Sequence, residues 1–461
     1  MKHVLSLKTV FQRSCLLHLV LLLLLGSAIP VWSGAITYQD AVRDALNQSA
    51  RIRVKSEDIN ISDAMYRQNF AGLYPEISAN SRFERYENLD NRSGTLDTIN
   101  GEVLGGDASA YKSSVSVTGQ YYLSHWYKKS HEVSYYEKMR DVRVHECHVE
   151  VKKLLRELTD TFGALGEGRI KIRYGGDIMK RLRDVLALKK EAFARGQVSY
   201  EEVLKVEQAL TNAEKEAAAV RKEFKENLER LRMYTGKVYE DDAEVDTAAA
   251  RTPLKIEDSK KLIEDTPEYK ARLKELEAVR LKEKAAANNF LPDISLYGRY
   301  NLYGSSINSI DSSARDLREV SYAAGVLVSL PIFDGGVRKW DRKRNLYEIR
   351  KQDETLKAVR EEKGRDIKIL QAGSRELSKS LTHYRKLAEQ YGRMLEITKK
   401  AHGLGERSVM EIMEMEKDAI TVERDLKVTE MSMTTYERRT VLESDYNNFI
   451  REHYGNGTCK Y

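Results

Sequence analysis

Two local signals occur in this chain in the same order, twice. Leu73-Tyr74-Pro75-Glu76-Ile77-Ser78 returns as Phe290-Leu291-Pro292-Asp293-Ile294-Ser295, and Gly196-Gln197-Val198-Ser199-Tyr200-Glu201-Glu202 returns as Gly405-Glu406-Arg407-Ser408-Val409-Met410-Glu411. At the first signal a helical period gives way to an alternating one, and at the second one helical run gives way to another. Each copy therefore reads helix, strand, strand, long helix, turn, long helix, and the chain is a tandem duplication. Two short strand pairs among very long helices cannot close a structure alone, and this shortage constrains the fold more than the length of 461 residues does. The expected organisation is a signal peptide over 1–35, a first repeat over 36–240, an inter-repeat segment over 241–265, a second repeat over 266–450 and a tail over 451–461.

The strands are expected at about 76–86, 112–123, 293–303 and 321–333. After Pro292, Ile294, Leu296, Gly298, Tyr300 and Leu302 alternate with Asp293, Ser295, Tyr297, Arg299 and Asn301, so one face is apolar and the other polar. The strand after Pro75 sets Ile77, Ala79 and Phe83 against Glu76, Ser78, Asn80, Arg82 and Glu84. Val115, Val117, Gly119, Tyr121 and Leu123 continue the pattern, as do Val326, Val328, Leu330 and Ile332. Alternating segments of about ten residues with tyrosines near their ends suit a membrane β-barrel, and they also suit a half-buried soluble sheet. Four strands cannot close a barrel, and an open edge in lipid leaves backbone groups unpaired. A barrel closes at about eight strands or more, so a membrane reading demands at least two chains, and three would supply twelve strands.

The helices carry a three-four apolar spacing: Val203, Val206, Leu210, Ala213, Ala217, Val220, Phe224 in one copy and Ile412, Met415, Ala419, Val422, Leu426, Thr429, Met433 in the other. That spacing is a coiled-coil seam. Helices over about 125–194 and 338–401 precede turns at 195–199 and 402–408. Gly196 and Gly405 suit the left-handed residue that ends a helix, Ser199 and Ser408 suit the next N-cap, and Glu202 and Glu411 stand where a capping box needs them in both copies.

Residues 1–35 carry Lys2, Lys8 and Arg13, a leucine-rich run from Cys15 to Leu25 and small residues at Ser33 and Ala35. They read as a secretory signal with a cut after Ala35, and Gly26-Ser27-Ala28 offers a second site. Beyond it no apolar run is long enough for a spanning helix. Removing three basic residues takes the formal charge from +6 to +3, too little over this length to indicate nucleic acid. The charged fraction of 32% suits long solvated helix faces. Two cysteines remain, Cys147 and Cys459, whose pairing the sequence leaves open.

The duplicated order, the Pro-acidic-Ile-Ser strand starts, the segment Leu330-Pro331-Ile332-Phe333-Asp334-Gly335-Gly336 and the paired Gly-x-x-Ser turns together resemble the TolC-like outer-membrane efflux proteins. The resemblance runs from about Thr37 to Tyr446. It implies an α+β, internally duplicated chain with four membrane β-strands and long coiled-coil helical hairpins, trimerising into a 12-stranded β-barrel continued by an α-helical barrel. It implies an outer-membrane exit duct of an efflux or type I secretion system. Such a homotrimer is held in outer-membrane lipid, reaches into the periplasm, and is engaged by a periplasmic adaptor and an inner-membrane pump. By position, the resemblance places Arg407 on an inner helix pair at the tip, Glu201 and Glu202 on the outer pair, and His402 opposite Glu202. Glu411 and Glu414 fall on an acidic ring at the pore, and Gly196, Ser199, Gly405 and Ser408 on the turns met by the adaptor. Arg407 and Glu414 occur only at the second turn, where the first has Val198 and Lys205.

Other signals are weaker. His145 and His148 form one possible metal edge without a further ligand cluster, so no metal is expected. Gly163, Gly166 and Gly168 lie within a long helix and lack the strand and Lys-Ser/Thr of a phosphate loop. Nothing pairs a nucleophile with a base, so no enzyme and no cofactor are expected. The alternative to the duct is a secreted periplasmic coiled-coil scaffold without a pore.

Overall fold

A computed structural model of the chain describes residues 31–32, 35–87, 97–99, 102–104, 109–246, 259–306, 308–454 and 459. The remainder of the expected signal peptide and its leucine-rich run fall outside them, as do 247–258 of the inter-repeat segment and most of the last tail residues. In chain order the elements are β1 (Val31–Trp32), α1 (Tyr38–Gln48), α2 (Ala50–Ala71), β2 (Glu76–Glu87), β3 (Asp97–Ile99), β4 (Glu102–Leu104), β5 (Ser109–Tyr122), α3 (His125–Lys128), α4 (Ser130–Ala194) and α5 (Tyr200–Thr235). Then come β6 (Val238–Tyr239), α6 (Ser259–Asp265), α7 (Pro267–Asn288), β7 (Asp293–Ser306), α8 (Ile310–Arg315), β8 (Glu319–Ser329), α9 (Val337–Gly403), α10 (Val409–Ser444) and α11 (Tyr446–Tyr454). The duplication is visible in the lengths: α4 and α9 have 65 and 67 residues, and α5 and α10 have 36 each.

The chain divides into two compact units. The first comprises residues up to 56 with 146–267 and 360–460, and the second 57–145 with 268–359. The first unit is helical. Its core gathers Leu154, Leu158, Phe162 and Leu165 of α4, Val42 and Leu46 of α1, Leu228 and Leu231 of α5, and Met431 and Leu442 of α10, all essentially buried. Gly163 and Gly166 belong to this packing: a Cβ there would collide with Thr435 and with Met431 of α10 (2.6 Å from Cε at Gly166). The glycines therefore let two helix backbones approach, which explains them without a phosphate. Seam positions Val203, Phe224 and Leu231 are buried, and Val206, Leu210, Ala213, Ala217 and Val220 are half-buried, as a coiled-coil stripe requires.

Two links tie distant segments of this unit. Cys147 and Cys459, left open by the sequence, form a disulfide with Cα atoms 5.8 Å apart. Close by in sequence, Lys152 holds Glu443 at 2.7 Å with both side chains nearly buried, and Arg156 binds the same carboxylate. Burial opposes the charge on Glu443, but the two cations outweigh it and hold its pKa below the ordinary carboxylate value. Val31–Trp32, inside the expected signal peptide, pairs in parallel with Val238–Tyr239. A cut after Ala35 would remove this strand and a cut after Ala28 would keep it.

The second unit holds a four-stranded antiparallel sheet in the order β2-β5-β7-β8. Its register brings the alternating patterns into line. Ala79, Val117, Tyr300 and Tyr322 form one cross-strand row, Ser81, Val115, Leu302 and Val320 the next, and Tyr121, Leu296 and Val326 a third. On the opposite face Ser78, Thr118, Arg299 and Ala323 share a row, followed by Asn80, Ser116, Asn301 and Ser321. Asn301 is buried on that face and donates to Ser321 Oγ at 3.0 Å. β8 stops at Ser329, so Leu330 and Ile332 stand beyond the ladder, because Pro331 has no N–H to continue it. The short helix α8 closes over Gly304 at the far end of the sheet, where Ser313 Oγ meets Ser113 Oγ at 2.5 Å.

Candidate functional site

A site at a helical turn needs a backbone that holds its side chains in place. Both turns satisfy this in the same way. Gly196 and Gly405 take φ of 72° and 80°, in the left-handed region where only glycine is unstrained. Gln197 N donates to Ala192 O at 2.9 Å and Gly196 N to Phe193 O at 2.9 Å. Glu406 N donates to Ala401 O at 3.0 Å and Gly405 N to His402 O at 2.9 Å. These paired bonds are Schellman closures of α4 and α9.

The N-caps differ from the expectation. At the second turn Ser408 Oγ accepts from Glu411 N at 3.3 Å and the Glu411 carboxylate accepts from Ser408 N at 2.8 Å, a complete capping box. At the first, Ser199 Oγ accepts from Glu202 N at 3.4 Å, but the box is not closed. The Glu202 carboxylate binds Lys189 Nζ of α4 at 2.6 Å instead, because an ammonium within reach is a stronger partner than a neutral N–H.

Apart from Glu414, the charged candidates are engaged locally. Arg407 pairs with Glu411 at 2.7 Å, four residues along its own turn, and both side chains remain substantially exposed. His402 Nδ1 lies 2.7 Å from Arg407 O, and Glu201 pairs with Lys205 at 2.7 Å. The bonds from Ser408 N and Arg407 hold the Glu411 pKa below its ordinary value, and Lys205 does the same for Glu201. Glu414 is exposed and makes no ion pair among the described residues. Within the chain, then, His402 meets the Arg407 backbone, but among the described residues neither makes a hydrogen bond or ion pair with Glu201 or Glu202.

What joins the two hairpins lies further from the turns and was not singled out in the sequence. Glu416, only 16% exposed, takes Arg181 of α4 at 3.1 Å and Lys399 of α9 at 2.9 Å. Arg424 reaches Glu216 at 3.4 Å, and Tyr174 donates to Glu423 at 3.0 Å. Glu416 and Glu423 immediately follow seam positions Met415 and Val422, and charge flanking a seam is the signal that would have found them.

The strand-to-helix junctions also carry chemistry. Asp334 accepts from Gly336 N at 2.9 Å, Arg338 N at 3.0 Å and Arg338 Nε at 2.6 Å. Led by the Arg338 guanidinium, these bonds lower its pKa to about 2. Arg338 donates further to Asn289 O and to Pro331 O, so one ion pair sets where β8 turns into α9. In the first copy no such acid exists. Lys128 instead binds Asp293 of the second copy at 2.8 Å, and Ser124 N donates to Ile294 O at 3.1 Å.

The sheet's apolar face is largely uncovered: Ile77 is 77% exposed, Tyr322 83% and Val326 62%. No described helix is long and apolar enough to span a membrane, and no described cluster of His, Cys, Asp and Glu has the make-up of a metal site.

Residues 259–435 match a family model described as outer membrane efflux protein. No curated protein sequence matches the chain. Among solved structures, the chain is similar to CusC, a protein that forms a transmembrane channel, with a TM-score of 0.74 and 12% identity over 91% of this chain and 95% of that one. It is similar to the Campylobacter jejuni CmeC outer membrane channel (TM-score 0.73, 14% identity, 90% and 89% covered). It is also similar to the outer membrane protein VceC of Vibrio cholerae (TM-score 0.73, 13% identity, 89% and 97% covered). The fold is that of the outer-membrane efflux channels.

Proposed function

We propose that three copies of this chain, whose second repeat carries the outer membrane efflux signature, form an outer-membrane exit duct of a multicomponent pump, with the helical part in the periplasm. The observation that carries this reading is the sheet. Its register aligns apolar side chains into one exposed face and polar ones into the other, and among the described residues β2 and β8 are left as open edges. A soluble scaffold would leave that face in water, at roughly 25 cal/mol for each Å² of apolar surface. In lipid the same face is favourable, and the open edges must then pair with other copies. The duct is passive and performs no catalysis, so its energy comes from the inner-membrane partner, with a periplasmic adaptor seated on the turns at Gly196, Ser199, Gly405 and Ser408.

The gate operates by exchange of partners. Arg407 leaves Glu411 for Glu201 or Glu202 of a neighbouring hairpin when the tip is shut, and His402 supports that contact from its place beside the Arg407 carbonyl. Glu411 is occupied by its cap, so the exposed Glu414 supplies most of the acidic ring that favours cations. Membrane fractionation and bilayer recording test the reading. Heat-resistant oligomers from the membrane fraction that conduct ions support it, and a soluble monomer would overturn it.

A further inference from the structure

On the polar face of the sheet most cations have an acidic neighbour, whereas Arg299 does not; Glu76 and Glu319, also on that face, make no ion pair among the described residues. At one end Glu84 stands opposite Lys112, and Arg82 lies 3.9 Å from Glu84. At the other, Asp293 is bound to Lys128 at 2.8 Å. Between them comes the row Ser78, Thr118, Arg299, Ala323, flanked by Asn80, Ser116, Asn301 and Ser321 on one side and Gln120, Tyr297 and Gly325 on the other. Glu76 opens that last row two strands away from Tyr297. Tyr297 leans across to Gly325, where a Cβ would stand 2.9 Å from the tyrosine hydroxyl. Arg299 is exposed and makes no hydrogen bond or ion pair among the described residues.

Charged side chains facing a duct are ordinarily matched by neighbours or by what passes through. A guanidinium among hydroxyls, amides and an alanine has no ionic partner among the described residues, and its planar fork suits carboxylate or phosphate oxygens. We propose that Arg299 is a selectivity residue of the duct: three copies form a cationic ring midway along the barrel lumen that favours anionic solutes. This inference rests on the trimeric duct reading. The ring opposes in sign the acidic tip of Glu414, so the two ends of the path set different demands. The tip admits cations, and the barrel raises the local concentration of carboxylates and phosphates on their way out.

The test is the reversal potential of purified trimers in planar bilayers under a KCl gradient, for wild type, Arg299→Ala, Arg299→Lys and Lys112→Ala. Arg299→Ala should lower the anion-to-cation permeability ratio by about twofold or more, and Arg299→Lys should retain most of it. Lys112→Ala, which removes a cation standing opposite Glu84, should change it less. An unchanged ratio in Arg299→Ala, or an equal fall in Lys112→Ala, overturns the ring while leaving the duct intact. Absence of channels in the wild type overturns the duct itself.

Discussion

At the scale of single residues, the strongest dependence falls on charges removed from water. Glu443 neutralises Lys152 in a nearly dry site, so Glu443→Ala removes the carboxylate that Lys152 and Arg156 share and leaves buried positive charge less well compensated. We expect a loss of about 3–5 kcal/mol in denaturant unfolding, and a milder loss when Lys152→Met is added. Asp334 gives a pH signature. Its pKa falls from an ordinary 3.8 to about 2 on folding, so the stabilisation is fully present above about pH 4 and is lost as pH falls through about 2. Asp334→Asn should therefore flatten the acid limb of the melting profile below pH 4 and leave its slope near neutrality unchanged. Arg407→Ala should raise single-channel conductance, and unchanged conductance would remove Arg407 from the gate. These residues differ in legibility. Ser408 and Glu411 were readable because a cap is local. The Glu202 to Lys189 and Glu416 to Arg181 pairs were not, because they join segments whose proximity only the packing of hairpins creates.

At the scale of elements, period and punctuation carried most of the information. Strands follow Pro75 and Pro292, and helices end at Gly196 and Gly405, because alternation and left-handed glycines act over a few residues. Gly405→Ala should cost about 1–2 kcal/mol, the strain of a left-handed alanine, read as a lower melting temperature with the fold intact. The Cys147 to Cys459 bond was open in the sequence because its partners are 312 residues apart. It pins the last described residue to α4, so reduction, or Cys147→Ser, should expose the tail to limited proteolysis while α4 and α10 stay protected. The first-copy junction was equally hidden. Ser124 and Lys128 look unlike Asp334 and Arg338 because their partner, Asp293, belongs to the other copy. At this junction, divergence between the repeats is where they bind each other.

At the scale of the whole molecule, the duplication explains why the proposed duct needs several copies of the chain. Two repeats supply four strands whose polar and apolar faces agree in register, and they leave β2 and β8 as edges. In the proposed trimer, three chains would bring twelve strands and six helical hairpins together and leave none of these sheet edges open. The most direct measurement is disulfide cross-linking in native membranes between single cysteines scanned along β2, from Ser78 to Arg82, and along β8, from Ser321 to Ala323. The account predicts that some pair closes into a covalent trimer and nothing larger. A soluble monomer that never cross-links, or a ladder of species beyond three, would contradict it.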